Sequence, residues 1–311
     1  MYQQALLDTH ERIKPFIHRT PVMTSQQLNE IAGADIYFKC ENFQRMGAFK
    51  MRGGANAILN LSEEQRAKGV VTHSSGNFAQ AVALSAKEVG IPANIVMPSN
   101  SPAVKVAAVK GYGGQVTLCP PTLKDRMEYA NRIVEEKGAT LLHPFNQIEV
   151  VLGQGTAAIE LLEEQPDLNI LMAPVGGGGL SGGTALAAHY FGKDCITIGA
   201  EPFEVDDAWR SLQSGKIEVN ETINTIADGL RTTLGTVTFP ILQEYLDSII
   251  RVTEDEIVHA MRLIYERMKI IIEPSCAVPF AAVLREKEKF AGKKIGIILS
   301  GGNVDLGVLP F

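Results

Sequence analysis

Short apolar and β-branched runs alternate along this chain with longer segments of helical periodicity, and this alternation constrains the fold more than any other feature. The runs predict strands at 35–40, 70–74, 93–97, 115–118, 140–143, 169–175, 195–200, 249–252 and 294–299. Helical patterns lie between most of them, for example at 79–89, 123–137, 156–164, 180–190 and 254–268. Such alternation is typical of α/β proteins, in which open, twisted, mostly parallel sheets carry helices on both faces. The uninterrupted apolar run at 170–175 predicts a strand buried on both faces.

Polar, glycine-rich segments follow three of the predicted strands. They are Ser-Ser-Gly-Asn at 74–77, four glycines at 176–179 and Ser-Gly-Gly-Asn at 300–303. Ligands of open α/β sheets bind beyond the carboxyl ends of the strands. We therefore expect the three loops to converge on one site.

The glycine run predicts an anion site. It consists of Gly176, Gly177, Gly178 and Gly179 and lies between a predicted strand and a predicted helix. Glycines let the backbone approach a ligand closely, and a helix N-terminus offers free N–H groups and a positive dipole end. A tight strand-to-helix turn is the alternative, but one or two glycines would suffice for it.

Three kinds of chemistry fit this run. The segment 177–182 matches the GxGxxG dinucleotide fingerprint, with Glu201 at the end of the next strand to bind a ribose. The segment 179–183 matches the GxSxG nucleophile elbow, for which no motif identifies catalytic partners. The third possibility is a cup for the phosphate of a cofactor. The dinucleotide interpretation leaves the other two loops and Lys50 unexplained.

Composition argues against several classes of protein. The net charge is -6 and the basic residues are scattered, which excludes a typical nucleic-acid or anionic-membrane partner. The N-terminus lacks an apolar signal-peptide core, and no apolar run is long enough to span a bilayer. The four cysteines are far apart and form no CxxC pair, as is typical of free thiols in a reducing compartment. We expect a soluble cytoplasmic protein.

Lys50 lies in the segment Gly-Ala-Phe-Lys-Met-Arg-Gly at 47–53, ahead of a helical pattern. The order of this segment and the three loops resembles the tryptophan-synthase-β-like, or fold type II, pyridoxal-phosphate enzymes. Within them it resembles the serine racemase and serine/threonine dehydratase branch. The resemblance runs nearly end to end and includes Thr-Pro-Val at 20–22, Lys-Cys-Glu-Asn-Phe-Gln at 39–44, Gly-Gln-Gly-Thr at 153–156, Thr-Ile-Ala-Asp-Gly at 225–229 and Glu-Pro at 273–274.

The resemblance implies how the cofactor is held. Lys50 would bind pyridoxal phosphate as a Schiff base and later act as a general base, with Phe49 against the cofactor ring. Asn77 would hydrogen-bond the ring hydroxyl and Ser300 the ring nitrogen. The phosphate would rest among Gly176, Gly177, Gly178 and Gly179.

The resemblance also implies a substrate site formed by Ser74, Ser75, Gly76 and Asn77. The Ser75 hydroxyl would face the substrate α-carbon from the side opposite Lys50, as a second acid/base for racemisation. The residues alone also allow Ser75 to be the N-cap of the following helix. Two positions depart from the family pattern: Ala48 stands where serine is frequent and Phe78 where histidine is usual.

An acidic segment at 201–207 resembles the Mg²⁺ site of this branch, which Ca²⁺ or Mn²⁺ can also fill. The matching ligands are the carboxylates of Glu201 and Asp207 and the main-chain carbonyl of Val205, oxygen ligands that hard cations prefer. A solvated acidic loop is the alternative.

The resemblance implies a homodimer of two-domain subunits. The large domain would comprise 1–45 and 147–311, the small domain 46–146, and the site would lie between them. The predicted activity is a serine/threonine ammonia-lyase, with serine racemase or threo-3-hydroxyaspartate dehydratase as alternatives. A cysteine-forming β-replacement synthase, a nicotinamide-binding oxidoreductase and a non-catalytic amino-acid-binding protein are more distant alternatives.

Overall fold

The computed structural model describes residues 2–311, which form ten strands and fourteen α-helices. The strands are β1 Val22–Met23, β2 Asp35–Cys40, β3 Val70–Thr72, β4 Ala93–Pro98, β5 Gln115–Cys119, β6 Thr140–Leu141, β7 Ile170–Pro174, β8 Ile196–Pro202, β9 Ser248–Val252 and β10 Lys294–Leu299. The helices are α1 Tyr2–Ile13, α2 Gln26–Ala32, α3 Lys50–Leu59, α4 Glu63–Lys68, α5 Asn77–Val89, α6 Ala103–Gly111, α7 Leu123–Lys137, α8 Ile148–Glu164, α9 Gly179–Phe191, α10 Asp207–Ser214, α11 Thr238–Tyr245, α12 Glu254–Met268, α13 Pro274–Arg285 and α14 Lys287–Phe290.

Six strands form the larger sheet, in the order β1-β2-β10-β7-β8-β9. All neighbours are parallel except β1, which pairs antiparallel with β2. At the centre, Ile297 of β10 lies opposite Phe38 on one side and Met172 on the other. The parallel arrangement brings the carboxyl ends of β7, β8 and β10 to one edge of the sheet.

Helices cover both faces of this sheet. Ile297 belongs to the core formed with α2, α12 and α13, whereas its neighbour Ile298 belongs to the core formed with α8 and α9. Each apolar side chain of this size contributes about 2 kcal/mol when fully buried. All five residues of β7 are buried, which confirms the prediction from its uninterrupted apolar run.

The second sheet has four parallel strands in the order β5-β4-β3-β6. All of them come from residues 70–141, inside the segment predicted as the small domain. The predicted fold class, with parallel sheets and helices on both faces, is confirmed. The division at 46 and 146 stays a prediction.

The helix boundaries follow local chemistry. Helix α12 begins with a capping box, in which the Thr253 hydroxyl and the Glu256 carboxylate each accept a hydrogen bond from the other residue's backbone N–H. Helix α5 ends at Gly90, whose φ of 76° is the left-handed conformation that favours glycine. The predicted ranges of α7, α12, β2 and β10 are confirmed without change.

Helix α8 was predicted at 156–164 but begins at Ile148. The prediction was wrong because Gly153 and Gly155, which resemble helix breakers, allow close helix packing. A Cβ on Gly153 would lie 2.6 Å from the Cα of Gly53 on α3, and one on Gly155 would lie 2.7 Å from the carbonyl oxygen of Gly183 on α9. Three helices therefore cross backbone to backbone.

None of the helices within residues 2–311 is both long enough and apolar enough to cross a membrane. The cysteines Cys40, Cys119, Cys195 and Cys276 are all buried and free, as predicted.

Candidate active site

Lys50 is the first residue of α3, and the chain around it is tied to the end of β10. The backbone N–H of Phe49 donates to the carbonyl oxygen of Ser300 at 2.9 Å, and Ala48 forms a β-bridge with Gly301. The Lys50 ammonium donates to the carbonyl oxygen of Pro144 at 2.7 Å. The structure therefore places Lys50 at the carboxyl edge of the larger sheet, where the sequence predicted the site.

A buried ion network holds α3 against the larger sheet. The Arg52 guanidinium donates to the carboxylates of Glu41 and Glu160 at 2.8 Å, and Lys39 pairs with Glu160 at 2.7 Å. All four side chains are at most 2% exposed. Two positive and two negative charges compensate one another, so the position of Lys50, two residues before Arg52, is fixed from inside the protein.

The surroundings of the Lys50 amine are largely apolar. Its Nζ lies 5.0 Å from the ring centre of Phe49 and 5.8 Å from that of Phe78. Burial lowers the pKa of Lys50 to about 8, with the negative charge of Glu273 acting in the opposite direction. An amine that loses its proton at this pH can act as a nucleophile and as a general base.

Asn77 joins the first predicted loop to the third. Its Oδ1 accepts a hydrogen bond from the Asn303 amide at 2.8 Å, and its Nδ2 donates to both carboxylate oxygens of Glu273 at 3.1 Å. These partners fix which end of the Asn77 amide is the donor.

Glu273 belongs to the site although the sequence analysis gave it no role. Its side chain is buried, and burial raises its pKa to about 7, while the Asn77 hydrogen bonds act in the opposite direction. In the sequence, Glu-Pro at 273–274 indicates the start of a helix, with Pro274 at its first position. That signal identifies a helix terminus but not what the carboxylate faces.

The glycine run forms a cradle at the start of α9. Gly178 has a φ of 84° and is the N-cap, with no side chain bonded to the first N–H groups of the helix. A Cβ on Gly177 would lie 2.3 Å from the ring of Phe145, and one on Gly176 would lie 3.0 Å from the Cα of Leu230. The free N–H groups at the start of α9 and the close packing around the glycines together form a site suited to a phosphate.

A turn at 143–146 connects Lys50 to this cradle and was missed by the sequence analysis. It supplies the Pro144 carbonyl to Lys50 and the Phe145 ring to Gly177. Nδ1 of His143 accepts from the backbone N–H of Asn146 at 2.9 Å. Burial, first of all, lowers the pKa of His143 to about 4, so the ring is neutral and stabilises the turn as an acceptor. The turn contains no glycine, and so gave no signal.

Ser300 directly follows β10 and is 2% exposed. Its Oγ lies 3.4 Å from Sγ of Cys276, in the first turn of α13. The backbone N–H of Gly301 donates to the same sulfur at 2.9 Å. The hydroxyl is thus buried at the sheet edge that also carries Lys50.

Ser75 is not the N-cap of α5. The N-cap is Gly76, and no side chain accepts from the first N–H groups of this helix. Among residues 2–311, the Ser75 hydroxyl makes no hydrogen bond, while the Ser74 hydroxyl accepts from the N–H of Gly76 at 3.4 Å. The capping interpretation was wrong because Gly76, one residue later, adopts the non-helical conformation. The uncapped helix start can bind an anion such as a carboxylate.

The structure rules out the two other interpretations of the glycine run. The Glu201 carboxylate is buried and accepts from the N–H groups of Ala208 and Trp209 at 3.1 and 3.0 Å, so it cannot bind a ribose. Ser181 is fully buried inside α9 and is not an exposed nucleophile. Gly183 serves the contact with α8. The nicotinamide alternative was therefore wrong.

The predicted metal segment contains two buried carboxylates that form no salt bridge within the described chain. Asp207 accepts from Asn220 at 2.7 Å and from the N–H of Leu234 at 3.0 Å, whereas the two arginines nearby pair with Asp206 instead. Burial raises the pKa of Asp207 to about 6, and burial together with Asp207 raises that of Glu201 further. No cluster of three or more His, Cys, Asp or Glu side chains occurs in residues 2–311. The predicted set has only two such side chains, and a bound cation would stabilise their ionised forms against the burial that raises their pKa values.

Three groups at this sheet edge suit the three functional groups of pyridoxal phosphate: an amine for the aldehyde, an uncapped glycine-lined helix start for the phosphate and a buried hydroxyl for the ring nitrogen. The sequence model of a family described as "Pyridoxal-phosphate dependent enzyme" matches residues 13–301. The chain belongs to this family. The family confirms the predicted cofactor, and the relatives described next confirm the predicted branch, whereas the role of each residue stays a prediction.

Several pyridoxal-phosphate enzymes resemble the chain over almost its whole length. A serine racemase of Dictyostelium discoideum is 50% identical over 303 residues, which cover 96% of this chain and 94% of that protein. An L-threo-3-hydroxyaspartate ammonia-lyase of Saccharomyces cerevisiae is 49% identical over 97% of this chain and 93% of that protein. The structure of threonine deaminase isoform 2 from Solanum lycopersicum superposes with a TM-score of 0.93 at 33% identity, covering 98% of this chain and 90% of that one.

Proposed function

We propose that this pyridoxal-phosphate enzyme is an ammonia-lyase that acts on 3-hydroxy amino acids, with L-serine and L-threonine as its predicted substrates. The proposal depends on the Lys50 amine. Its pKa is about 8, and the amine lies beside a cradle that suits the cofactor phosphate. Two relatives support the same class of reaction: one is named an L-threo-3-hydroxyaspartate ammonia-lyase and the other a threonine deaminase.

The bound cofactor supplies an electron sink for the substrate α-carbon. Lys50 would hold it and, as a neutral amine, would accept the α-proton. The first N–H groups of α5, which lack a side-chain cap, bind the substrate carboxylate at the 74–77 loop. Phe49 and Phe78 exclude water from the amine, and Asn77 and Ser300 would orient the cofactor ring.

The overall reaction balances without any further reagent. Loss of the α-proton and of the β-hydroxyl releases one water, and hydrolysis to the 2-oxo acid and ammonia consumes one. L-serine thus gives pyruvate and ammonia. The proposed function consequently requires no oxidant, reductant or second substrate.

A panel of L-serine, L-threonine and L-threo-3-hydroxyaspartate tests the proposal, with release of 2-oxo acid and ammonia as the readout. We expect equal amounts of the two products from at least one substrate, and none from the Lys50→Ala variant. Borohydride reduction and peptide mapping should place the cofactor on the peptide that contains Lys50. Absence of that adduct, or of any 2-oxo acid, would refute the proposal.

Serine racemase activity is a second candidate, because the hydroxyl of Ser75 is free of hydrogen bonds within the described chain and lies in the half-buried 74–77 loop. A free hydroxyl can return a proton to the substrate from the face opposite Lys50. The 50% identity to a serine racemase supports this candidate. Chiral chromatography of the reaction with L-serine separates it from elimination, because D-serine and pyruvate are distinct products.

We also propose that Glu201, Asp207 and the carbonyl of Val205 bind Mg²⁺, or Ca²⁺ or Mn²⁺ in its place. Two buried carboxylates without a salt bridge support a cation here, which would stabilise the start of α10 and not take part in the chemistry. A homodimer remains a prediction from the sequence, and sedimentation of the holoenzyme tests it.

A further inference from the structure

Cys276 and Ser300 form a contact between two rigid backbone segments. The N–H of Cys276 donates to the carbonyl oxygen of Glu273 at 3.0 Å, and the carbonyl oxygen of Ser300 accepts from Phe49 at 2.9 Å. Both side chains are buried, Cys276 completely. With the backbones held, the remaining freedom at this contact is the direction in which each hydrogen points.

The pair has two hydrogens, one on the Cys276 thiol and one on the Ser300 hydroxyl, and the neighbouring acceptors decide where each one points. The sulfur accepts from the N–H of Gly301 at 2.9 Å and lies 2.8 Å from the carbonyl oxygen of Gly301, which is the nearer acceptor for the thiol hydrogen. Ser300 Oγ is farther away, at 3.4 Å. Since a thiol has one hydrogen and a sulfur that accepts weakly, the sulfur is left as an acceptor for the Ser300 hydroxyl.

No other described side chain competes for this hydroxyl. Within residues 2–311, Cys276 is the one polar partner of Ser300 Oγ. The nearby carboxylate of Glu273 receives the Asn77 amide instead. Burial raises the pKa of the Cys276 thiol well above its usual range, so the sulfur keeps its hydrogen.

We propose that Cys276 is a positioning residue that lets Ser300 accept, as well as donate, the hydrogen bond to the cofactor ring nitrogen. When the hydroxyl hydrogen points to the sulfur, the oxygen lone pairs face the ring nitrogen and suit its protonated form. When the hydrogen points to the ring, it suits the unprotonated form. Without the thiol, only the second arrangement gives the hydroxyl hydrogen an acceptor. This inference rests on the assignment of Ser300 in the proposed function.

The two arrangements differ in how strongly the ring withdraws electrons, because a protonated nitrogen makes a stronger electron sink. A serine alone would favour the unprotonated ring. Cys276 therefore enlarges the protonated fraction and, with it, the lifetime of a substrate carbanion that can be protonated from either face. It is a device that adjusts the balance between elimination and racemisation.

The test uses holoenzyme loaded with cofactor that carries an isotope label at the ring nitrogen, read by nuclear magnetic resonance. In Cys276→Ala we expect the nitrogen signal to move toward that of the unprotonated ring. Cys276→Ser, which retains an acceptor, should keep it near the wild-type position. Melting temperature and cofactor content serve as controls, because a purely structural role would change these and leave the nitrogen signal unmoved.

The outcomes separate this inference from the proposed function. If Cys276→Ala keeps the wild-type signal while Ser300→Ala moves it, the inference about Cys276 is refuted and Ser300 remains the partner of the ring. If neither variant moves the signal, the assignment of Ser300 is refuted and the inference with it. In both cases, the borohydride adduct on Lys50 reports independently on the proposed function.

Discussion

Asn303 donates its amide to Oδ1 of Asn77 at 2.8 Å, across 226 positions of the chain. This bond joins the loop after β10 to the start of α5, and so connects the two sheets at their carboxyl edges. It also turns the donor end of Asn77 toward Glu273. The carboxylate that faces Lys50 is therefore held by residues from both sheets.

This arrangement predicts the pH dependence of the reaction. Lys50 must be neutral to accept the α-proton, so the rate should rise as the pH increases through about 8. The negative charge of Glu273 raises the pKa of Lys50, and its removal in Glu273→Gln should move the rising limb to lower pH, by about one unit. Exposed Glu286 provides the matched control, Glu286→Gln. An unchanged profile in Glu273→Gln would contradict the electrostatic coupling.

The glycine cradle predicts a selective loss of cofactor affinity. In Gly177→Ala the new methyl group would lie 2.3 Å from the Phe145 ring, so the ring or the glycine backbone must shift and disturb the cradle. We expect the dissociation constant for the cofactor, measured by absorbance titration of apoenzyme, to increase about tenfold or more. Gly182→Ala is the control, because its Cβ would meet Ile241 only at 3.4 Å. Equal affinities in the two variants would show that the cradle does not bind the phosphate.

Ser75 should matter for catalysis and not for folding. Since the Ser75 hydroxyl does not cap α5, Ser75→Ala should change the free energy of unfolding by less than about 0.5 kcal/mol. Ser62→Ala, which removes a true capping box from α4, should cost about 1 kcal/mol. With L-serine as substrate, we expect Ser75→Ala to suppress D-serine formation more than pyruvate formation. Parallel loss of both products would argue against protonation from two faces.

Removal of divalent cations should destabilise the protein. Chelation leaves the buried carboxylates of Glu201 and Asp207 without a counter-ion, so the melting temperature should fall by about 5 °C and recover on addition of Mg²⁺ or Ca²⁺. Asp207→Asn should abolish this response to chelator. Glu204→Gln changes a carboxylate of the same segment that is exposed, and should retain it. A wild-type protein indifferent to chelator would eliminate the metal proposal.

The ion network beneath Lys50 should be costly to break. Arg52→Met leaves the buried Glu41 carboxylate without a cationic partner and Glu160 with Lys39 alone, and should lower the free energy of unfolding by about 3–5 kcal/mol. Arg19→Met removes a half-exposed partner of Glu163 and should cost at most about 1 kcal/mol. Denaturant unfolding measures both values. A similar small cost in the two variants would mean that the buried network contributes little to stability.

The sequence predicted the structure correctly wherever neighbouring residues alone determine the local conformation. The strands β2 and β10 and the range of α12 were correctly predicted from neighbouring residues. The loops at 74–77 and 300–303 were correctly expected to meet, because strand polarity brings their ends to one edge.

Contacts between distant segments escaped the sequence analysis. The approach of Pro144 to Lys50 spans 94 positions, and that of Glu273 to Asn77 spans 196. Neither the turn nor the glutamate carries a local pattern that indicates a ligand. The role of Ser75 as a cap was wrong for a related reason: which residue of 74–77 caps α5 depends on loop dihedral angles that tertiary contacts determine.

The backbone crossings of α3, α8 and α9 leave no space for even one methyl group at Gly53, Gly153 or Gly183, whereas a Cβ on Gly76 would meet nothing within 4 Å. Tolerance to mutation is therefore distributed unevenly around the site. A laboratory evolution campaign for new substrates should find its accepted changes in the 74–77 loop, which is the proposed substrate site. The scaffold that carries the reactive lysine should remain unaltered throughout.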